Sequence, residues 1–423
     1  MLRLGLGLGW SGPRCSWGSK VSYGLGLRKQ LDVKAAQGVV TSRKYMVLAI
    51  ESSCDDSAVC LIDRREDSGA PVIVDHVTRS LDTAKAGGII PIDAVAHHLS
   101  SIAPLVSQVL ERNGLSKVDL VCATKGPGMF SSLSSGFNLA KGLSIAWNVP
   151  LIGVHHMLGH LLTPRFFTNG QEPKFPFLCL LTSGGHTMLV LCKSLFEHEI
   201  LANTMDVAIG NSLDKCAREI GLSGQMLGKE LELFINERDE SHDPHCVPAE
   251  FAFPNPLQNR CGRKDMVAFS FASFISVMGR SRDRIYGPDT TLASLSVSQR
   301  REIGHRAQTA IFNHLASKVR LAIQQMQDTH DMDPATNTST SAPIDFVCSG
   351  GVASNKLLRE MLSSQLGSYN LKFHYPDPKW CTDNALMIGW AGIELHESGL
   401  YRPTELDELP IPKWPLDEFT ASA

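Results

Sequence analysis

Short apolar runs that end in polar or glycine-containing turns recur along the chain from Tyr45 onwards. The runs Tyr45–Glu51 and 58–62 flank the polar segment SSCDDS, and this pattern predicts two strands joined by a turn. A further apolar run at 120–123 leads into the sequence KGPG, and small residues then predict a helix over 131–147. This part of the chain therefore alternates strands with helices.

Apolar residues three or four positions apart predict helices at 91–112 and 299–326, the second of them long and amphipathic. The first is expected to be interrupted at Pro104, because proline lacks the backbone N–H of a helical hydrogen bond, and to end at Asn113. A further helix begins near Asn355, directly after a glycine turn.

Further apolar runs predict strands at 151–154, 177–181, 187–192 and 344–348. Strands that alternate with helices are typical of an α/β fold. Polar or glycine-bearing turns follow strands at about 50, 125, 183 and 350, which predicts two similar lobes facing one cleft. Two polar stretches interrupt the second lobe: 236–265 is interpreted as an insertion or mobile loop, and 329–343 as an exposed linker.

Composition limits the class of protein. The 423 residues include 43 % apolar and 20 % charged residues, which excludes a disordered or collagen-like chain. The longest apolar runs end after six or seven residues, whereas a membrane-spanning helix needs about 20. Eleven cysteines without a Cys-x-x-Cys pair indicate neither a disulfide framework nor a zinc knuckle, and favour a reducing compartment.

Charge is distributed unevenly along the chain. Residues 1–44 carry eight basic residues and one acid, with many Ser and Gly, a composition typical of a mitochondrial transit peptide. A secretory signal is the competing interpretation, but glycines interrupt the apolar residues at 4–10. The remainder carries about ten net negative charges, so a nucleic-acid partner would require a local basic patch.

Two glycine turns are candidates for ligand binding. In the segment 183–187 (SGGHT), backbone N–H groups can converge on an anion, although a plain β-hairpin turn explains the same residues. The segment 349–355 (SGGVASN) opens a helix whose N-terminus can face a phosphate or a ribose.

Two histidines are candidate metal ligands. His156 and His160 are four residues apart and would project from one face of a helix. No glutamate follows the first histidine, so the pair lacks the general base of a zinc protease. A carboxylate from elsewhere must complete the site, and Asp383 is a candidate. Histidines that are hydrogen-bonded at a helix N-terminus are the structural alternative.

The acidic turn and the basic residues are more ambiguous. Asp55 and Asp56 could hold a metal or act as bases, or could simply form a solvated turn. The neighbouring Cys54 is not expected to be a nucleophile, since no histidine is fixed beside it by the sequence. A group of basic residues could contact phosphates or could simply form a solvated face. They are Arg260, Arg263, Lys264, Arg280, Arg282 and Arg284.

Taken together, these segments resemble the tRNA N6-adenosine threonylcarbamoyltransferases, once described as O-sialoglycoprotein endopeptidases, and specifically their mitochondrial branch. Seven blocks occur in the family's order: 51–56 (ESSCDD), 125–128 (KGPG), 141–160, 183–187 (SGGHT), 213–215 (LDK), 349–355 (SGGVASN) and 381–384 (CTDN).

The resemblance implies the two-lobed α/β fold of the actin, sugar-kinase and heat-shock ATPase superfamily, with the ligand in the cleft between the lobes. It implies a first lobe at 45–153 that is completed by 384–423, through a helix at 384–397, and a second lobe at 154–383. The implied reaction transfers the L-threonylcarbamoyl group from threonylcarbamoyl-AMP to N6 of adenosine 37 in mitochondrial tRNAs that read codons beginning with A, and releases AMP.

The resemblance also implies the site residues, cofactor and partners. Metal ligands fall on His156, His160 and Asp383, for one divalent ion per subunit, iron(II) or zinc; the donor set also suits manganese. The implied catalytic pair is Asp55 and Asp56. Substrate-binding positions fall on Leu181, Thr182, Ser183, Gly184, Gly185, Asp214 and Asn355. The implied partners are the tRNA anticodon loop, a second copy of the chain and a separate synthase that makes the adenylate, in the mitochondrial matrix; ATP or AMP are expected to bind as well.

The sequence departs from the family pattern in places. Glycines are separated in 221–228 (GLSGQMLG), where the family often has Pro-Gly-Gly in contact with the ribose, so that contact is not expected here. The element before the long helix reads SFASF at 270–274, and Asn211 stands at a usually acidic position. These changes affect the rim of the nucleotide pocket.

Three alternatives remain open from the sequence. A zinc-type metallopeptidase is disfavoured by the missing glutamate and by the two glycine loops. A non-catalytic nucleotide-binding partner subunit would not need three metal ligands. A small-molecule kinase or carbamoyltransferase of the same superfamily is the third.

Overall fold

The computed structural model describes residues 45–65, 70–83, 88–237, 243–257, 265–328 and 343–421. The predicted transit peptide at 1–44 lies outside these residues, as do Arg260, Arg263, Lys264 and nearly all of the predicted linker at 329–343. Among the described residues, no helix combines the length and apolar character needed to cross a bilayer. The nine cysteines in these ranges are all free thiols.

Two five-stranded mixed sheets form the framework. The first contains β1 (Tyr45–Glu51), β2 (Asp56–Arg64), β3 (Val72–Ser80), β4 (Leu120–Gly126) and β5 (Leu151–His155). The second contains β6 (Phe177–Thr182), β7 (Thr187–Cys192), β8 (His198–Asn203), β9 (Ile344–Ser349) and β10 (Leu371–His374).

Both sheets are connected in the same way. Their strand orders are β3-β2-β1-β4-β5 and β10-β9-β6-β7-β8. In each sheet the first three strands pair antiparallel as a meander, and the last two are added in parallel beside the first. This repetition confirms the predicted α/β class and the two-lobed arrangement. The lobe boundaries at 153/154 and 383/384 stay a prediction.

Helices cover the sheets and also fill the space between them. The helices are α1 (Pro91–Arg112), α2 (Phe130–Trp147), α3 (His156–Phe166), α4 (Ile209–Glu219), α5 (Leu227–Asn236), α6 (Ala272–Tyr286), α7 (Val297–Asp328), α8 (Lys356–Gln365) and α9 (Ala385–Glu397). One apolar core joins the first sheet to α1 and α2, and another joins the second sheet to α4–α8. A third, central core joins the two sheets through α3 and α9.

The strand β1 shows why its sequence is almost continuously apolar. Leu48 and Ile50 point into the core with α1 and α2, whereas Val47 and Ala49 point into the central core. A strand with both faces buried needs apolar residues at every position, so the period-two alternation of a half-exposed strand is lost.

One prediction about an individual segment, the interruption of a helix at Pro104, is wrong. For 236–265 the described part contradicts a mobile loop, whereas the insertion stays a prediction. The helix α1 continues through Pro104, which lies on the solvent face, where water can satisfy the carbonyl group left without a donor. The described part of the interval 236–265 is packed, since Val247 and Phe251 are fully buried. Arg306 on α7 donates hydrogen bonds to backbone carbonyl groups of this segment. Its few apolar residues therefore decide its structure.

The carboxy-terminal segment returns to the first sheet. The helix α9 packs on β1, β2, β4 and β5, and the chain after it runs along β4. Glu408 forms an ion pair with the buried Lys125 at 2.6 Å, and Ile411 N–H donates to the Lys125 carbonyl. These contacts hold the Lys125–Gly128 loop in place beside Ser53, whose carbonyl accepts from Met129 N–H.

Candidate active site

The two histidines lie at the start of α3, directly after β5. His155 is the N-cap of this helix, and its side chain accepts a hydrogen bond from Met157 N–H. One turn of helix separates His156 from His160, so both rings project from the same face, with centroids 4.9 Å apart. Both side chains are buried.

Asp383 reaches the histidines from the start of α9. It precedes Asn384, the N-cap of α9, whose Oδ1 accepts from Met387 N–H. The Asp383 Oδ1 atom lies 3.0 Å from His160 Nε2 and 3.6 Å from His156 Nε2. The ligand atoms of the three residues all lie within 4.8 Å of one another. Two imidazole nitrogens and one carboxylate oxygen form a donor set that suits a divalent transition metal and leaves coordination positions open.

A buried carboxylate that the sequence analysis did not single out completes this region. Glu51, the last residue of β1, accepts hydrogen bonds from Thr124 Oγ1 at 2.5 Å and from Ser53 N–H at 2.6 Å. Its Oε2 lies 3.3 Å from His156 Nδ1. A charged residue at the end of a buried strand was the available sequence signal, but its partners come from β4 and α3, which sequence distance conceals.

Charge in this cluster is balanced internally. Burial opposes ionisation of Glu51, but attraction to His156 and the hydrogen bonds from His156 and Ser53 lower its pKa. Burial likewise opposes protonation of His156, yet the two carboxylates, Glu51 and Asp383, raise its pKa to about 9. The pKa of Asp383 is lowered in spite of burial by His156 and His160. The two carboxylates that favour a positive charge on His156 would also favour a metal cation, which has to displace the proton.

The two glycine turns lie side by side at the ends of β6 and β9. Gly350 has φ +95°, and a Cβ at this position would lie 2.3 Å from the Thr182 carbonyl oxygen, so only glycine fits. In the other turn, Ser183 Oγ accepts from His186 N–H at 3.0 Å, while a Cβ on Gly184 or Gly185 would meet open space.

The predicted substrate-binding residues divide into two groups. The side chains of Leu181 and Thr182 are buried and point away from open space, so only their backbone groups are available to a ligand. By contrast, Gly184, Asp214 and Asn355 line one cavity of about 160 Å³. Ser183 belongs to the turn beside this cavity, and Gly185 is exposed in the same turn.

The lining of this cavity joins the two glycine turns with the residue that precedes Asp383. Thr382, the neighbour of Asp383, lines it, as do Met226, Gly228 and Lys229. Gly228 N–H donates to Asp214 Oδ1 at 2.9 Å, although the sequence here departs from the family's Pro-Gly-Gly. Burial raises the pKa of the Asp214 carboxyl group. The cavity therefore has polar groups at its wall, and its lining includes the chain neighbour of one candidate metal ligand.

Asp55 lies on the turn between β1 and β2, and Asp56 is the first residue of β2. His98 from α1 holds both sides of this turn: its Nε2 donates to the Cys54 carbonyl at 2.9 Å, and its Nδ1 lies 2.7 Å from Ser57 Oγ. Burial raises the pKa of Asp55, and it raises that of Asp56 to about 7. A carboxyl group in this range can exchange a proton near neutral pH. Burial and Asp55 raise the pKa of the Cys54 thiol, which argues against a thiolate nucleophile.

The described arginines of the basic cluster lie on α6. Arg282 pairs with Asp283 at 2.7 Å, and Arg284 donates to the Glu250 carbonyl. Arg280 and Arg284 line an open groove of about 760 Å³.

Comparison with known proteins identifies the family. The model of the tRNA N6-adenosine threonylcarbamoyltransferase (TsaD) family matches residues 72–390. The chain is 33 % identical over 394 residues to the mitochondrial tRNA N6-adenosine threonylcarbamoyltransferase of Schizosaccharomyces pombe, covering 89 % of this chain and 88 % of that protein. It is also 33 % identical to the tRNA N6-adenosine threonylcarbamoyltransferase of Maricaulis maris, covering 93 % of this chain and 97 % of that protein.

Among solved structures, T. kodakarensis HypF is similar, with a TM-score of 0.48 and 14 % identity over 84 % of this chain and 48 % of that chain. The mitochondrial name of the Schizosaccharomyces pombe relative agrees with the mitochondrial location predicted from residues 1–44. The family match favours a transferase over the peptidase, kinase and partner-subunit alternatives. The chain belongs to the tRNA N6-adenosine threonylcarbamoyltransferase family, the enzymes that transfer a threonylcarbamoyl group to N6 of adenosine in tRNA.

Proposed function

We propose that this chain transfers the L-threonylcarbamoyl group from threonylcarbamoyl-AMP to N6 of adenosine 37 in mitochondrial tRNAs that read codons beginning with A. The observation that carries this proposal is the convergence of His156, His160 and Asp383 beside a cavity lined by Gly184 and Asn355. A separate synthase supplies the adenylate.

His156, His160 and Asp383 would hold one divalent metal ion, iron(II) or zinc. When bound, it supplies a Lewis acid that withdraws electron density from the acyl carbonyl group. The helix α3 holds the side chains of His156 and His160 on one face, close to Asp383.

The adenylate occupies the cavity beside the glycine turns. Backbone N–H groups of the segment 181–185 face its phosphate, and Asp214 and Asn355 contact the nucleoside; AMP and ATP fit the same groups. The adenosine amine attacks the acyl carbon, the bond from that carbon to the phosphate oxygen breaks, and AMP leaves. The acyl-adenylate is already activated, so no further energy source is needed.

Asp55 or Asp56 accepts the proton that the amine releases, directly or through a water molecule. Support comes from the raised pKa of Asp56, about 7, which allows it to take up a proton at neutral pH. We expect Asp55→Asn or Asp56→Asn to slow single-turnover transfer by about 10²- to 10⁴-fold. Full transfer rates in both variants would remove this role.

The test is a single-turnover reaction of the chain lacking residues 1–44 with threonylcarbamoyl-AMP and unmodified mitochondrial tRNA, followed by nucleoside analysis. Product at position 37 that disappears in a His156→Ala/His160→Ala variant would support metal-dependent transfer. Exposed Asp377, which lies on the same segment as Asp383, supplies a matched control, since Asp377→Asn leaves the cluster intact. Transfer of label from ATP or carbamoyl phosphate instead would contradict the proposal.

The tRNA surface is proposed to include Arg280 and Arg284, which line the groove on α6. Reversing the charge of Arg280, Arg282 and Arg284 is expected to weaken tRNA binding and to reduce its dependence on salt concentration. Unchanged binding with an unchanged salt dependence would exclude this surface.

The chain is also proposed to act as a homodimer, through the exposed apolar face of α1. Ile92 and Leu99 are 72 % and 67 % exposed there, and Phe130 at the start of α2 is 50 % exposed. Ile92→Glu/Leu99→Glu should convert the dimer to a monomer in light scattering, whereas Leu233→Glu on α5 should not. A wild-type monomer, or a dimer that survives the first change, would refute this assignment.

A further inference from the structure

Glu51 contacts a metal-ligand histidine on the ring nitrogen that does not face the other ligands. We propose that Glu51 is a positioning residue that fixes the tautomer of His156, so that His156 Nε2 presents a lone pair to the metal. This inference rests on the metal site proposed above, and it assigns Glu51 no direct contact with metal or substrate.

The hydrogen bonds around Glu51 determine where the proton of His156 lies. Thr124 Oγ1 donates to Oε2 and Ser53 N–H donates to Oε1, so the buried side chain acts as an acceptor on both oxygens. An ionised carboxylate can only accept, and the atom opposite it, His156 Nδ1 at 3.3 Å, must therefore carry a hydrogen. A histidine that binds a metal is neutral and carries one ring hydrogen. With that hydrogen on Nδ1, Nε2 is the nitrogen that can bind a cation, on the side of Asp383.

His160 lacks this support. Its Nε2 faces Asp383 Oδ1 at 3.0 Å, but within the described part of the chain its buried Nδ1 has no hydrogen-bond partner. The two ligand histidines are thus held differently. Glu51 fixes the tautomer of His156 through Nδ1, whereas the ring of His160 is hydrogen-bonded only through Nε2, on the side of Asp383. A carboxylate behind a ligand histidine orients the ring and raises its basicity, and its loss generally costs about 10- to 100-fold in metal affinity.

The substitution Glu51→Gln gives a prediction that charge loss alone does not give. Ser53 N–H is a fixed backbone donor, so the amide oxygen must take the Oε1 position. The amide NH2 group then faces His156 Nδ1, which has to accept, and the ring proton moves to Nε2. The nitrogen that should bind the metal would be blocked.

Glu51→Ala removes the same charge but leaves Nδ1 free to donate. The space vacated by the side chain is lined by the Ser53 N–H, the Thr124 hydroxyl group and His156 Nδ1, and these polar groups can hold a water molecule. That water accepts from Nδ1–H and preserves the tautomer. We therefore expect the order of affinities wild type, then Glu51→Ala, then Glu51→Gln, although alanine is the larger truncation.

The experiment measures binding of Co²⁺ and Zn²⁺ alone to the metal-free chain, through the visible bands of Co²⁺ and through Zn²⁺ competition with a chromophoric chelator. Glu51→Gln should bind about 10- to 100-fold more weakly than wild type, and more weakly than Glu51→Ala. Thermal denaturation in chelator checks that both variants are folded. Equal binding by the two variants, or tighter binding by Glu51→Gln, would overturn the inference.

His156→Ala separates this inference from the metal site itself. If His156→Ala binds metal as wild type does, the proposed site is wrong and the inference falls with it. If only His156→Ala loses binding, the site stands and Glu51 has no positioning role. Should the Glu51 variants fail to fold, long-range ¹H–¹⁵N spectra of the zinc-bound wild-type chain, assigned with His156→Ala, report the tautomer directly. Hydrogen on Nδ1 supports the inference, and hydrogen on Nε2 overturns it.

Discussion

The close packing of α9 on the first sheet can be tested at Gly392. A Cβ built at this residue would lie 2.3 Å from Cys122 Sγ and 3.0 Å from Cys122 Cβ, on the fully buried strand β4. Gly392→Ala therefore overpacks the central core, at a cost of about 3 kcal/mol for a contact this short. Alanine has the higher helix propensity and returns about 1 kcal/mol. The expected net loss is about 2 kcal/mol in the free energy of unfolding.

Urea unfolding of four proteins measures this effect: wild type, Gly392→Ala, Cys122→Ala and the double variant. Cys122→Ala removes the colliding sulfur. Cys122→Ala should therefore lower the free energy of unfolding less in the Gly392→Ala background than in the wild-type chain. Gly279 on α6 is the matched control, because a Cβ there meets nothing within 4 Å and alanine should stabilise by up to about 1 kcal/mol.

The effect on α9 should extend to the metal ligand. Asp383 directly precedes the N-cap of this helix, so a shift of α9 away from β4 moves the carboxylate relative to the histidines of α3. Gly392→Ala is expected to weaken Zn²⁺ binding as well as stability. A Gly392→Ala protein as stable as wild type, or a cost of Cys122→Ala that is the same in both backgrounds, would refute the packing described here.

Three other predictions follow from single residues. Burial lowers the pKa of His314 to about 4, so between pH 6.5 and 4 the unfolded chain binds a proton that the folded chain does not. The free energy of unfolding should therefore fall, as pH decreases over this range, by about 1.4 kcal/mol per pH unit from this group. Urea titrations of His314→Gln should show a smaller fall. Asn355→Ala removes the cap that accepts from Leu358 N–H and should cost about 1 kcal/mol in thermal denaturation and weaken AMP binding, whereas Asn355→Asp should keep the cap. Asp383→Asn should lower the bound metal measured by elemental analysis, while Asp377→Asn should not; equal metal content would contradict the ligand assignment.

Local features of the site were predictable from the sequence. The spacing of His156 and His160 places both rings on one face of any helix, because the α-helix repeats every 3.6 residues. The glycine turns follow apolar runs, and only glycine adopts the backbone conformation of Gly350 without strain. The runs that became β1, β6, β7 and β9 were readable because a buried strand needs apolar residues.

Other local predictions failed where packing decided the outcome. Pro104 does not interrupt α1, because the residue lies on the solvent side of a helix whose opposite face is buried against the first sheet. The segment 243–257 is polar on average, yet Phe251 and the hydrogen bonds from Arg306 fix it on α7. Average composition does not reveal which few side chains meet a partner.

The sequence by itself determined the strand pattern, the histidine pair, the glycine turns and, through its ordered motifs, the family. Only the tertiary structure decided which distant groups meet: Asp383, a candidate ligand from the sequence, lies 223 residues from His160, and Glu51, which the sequence did not single out, lies 105 residues from His156. Helical and strand periods are set by local backbone geometry and are written in the residue spacing. Contacts across such distances depend on α9 fitting between the two sheets, where small residues such as Gly392 allow the helix to approach, and no local pattern specifies that fit.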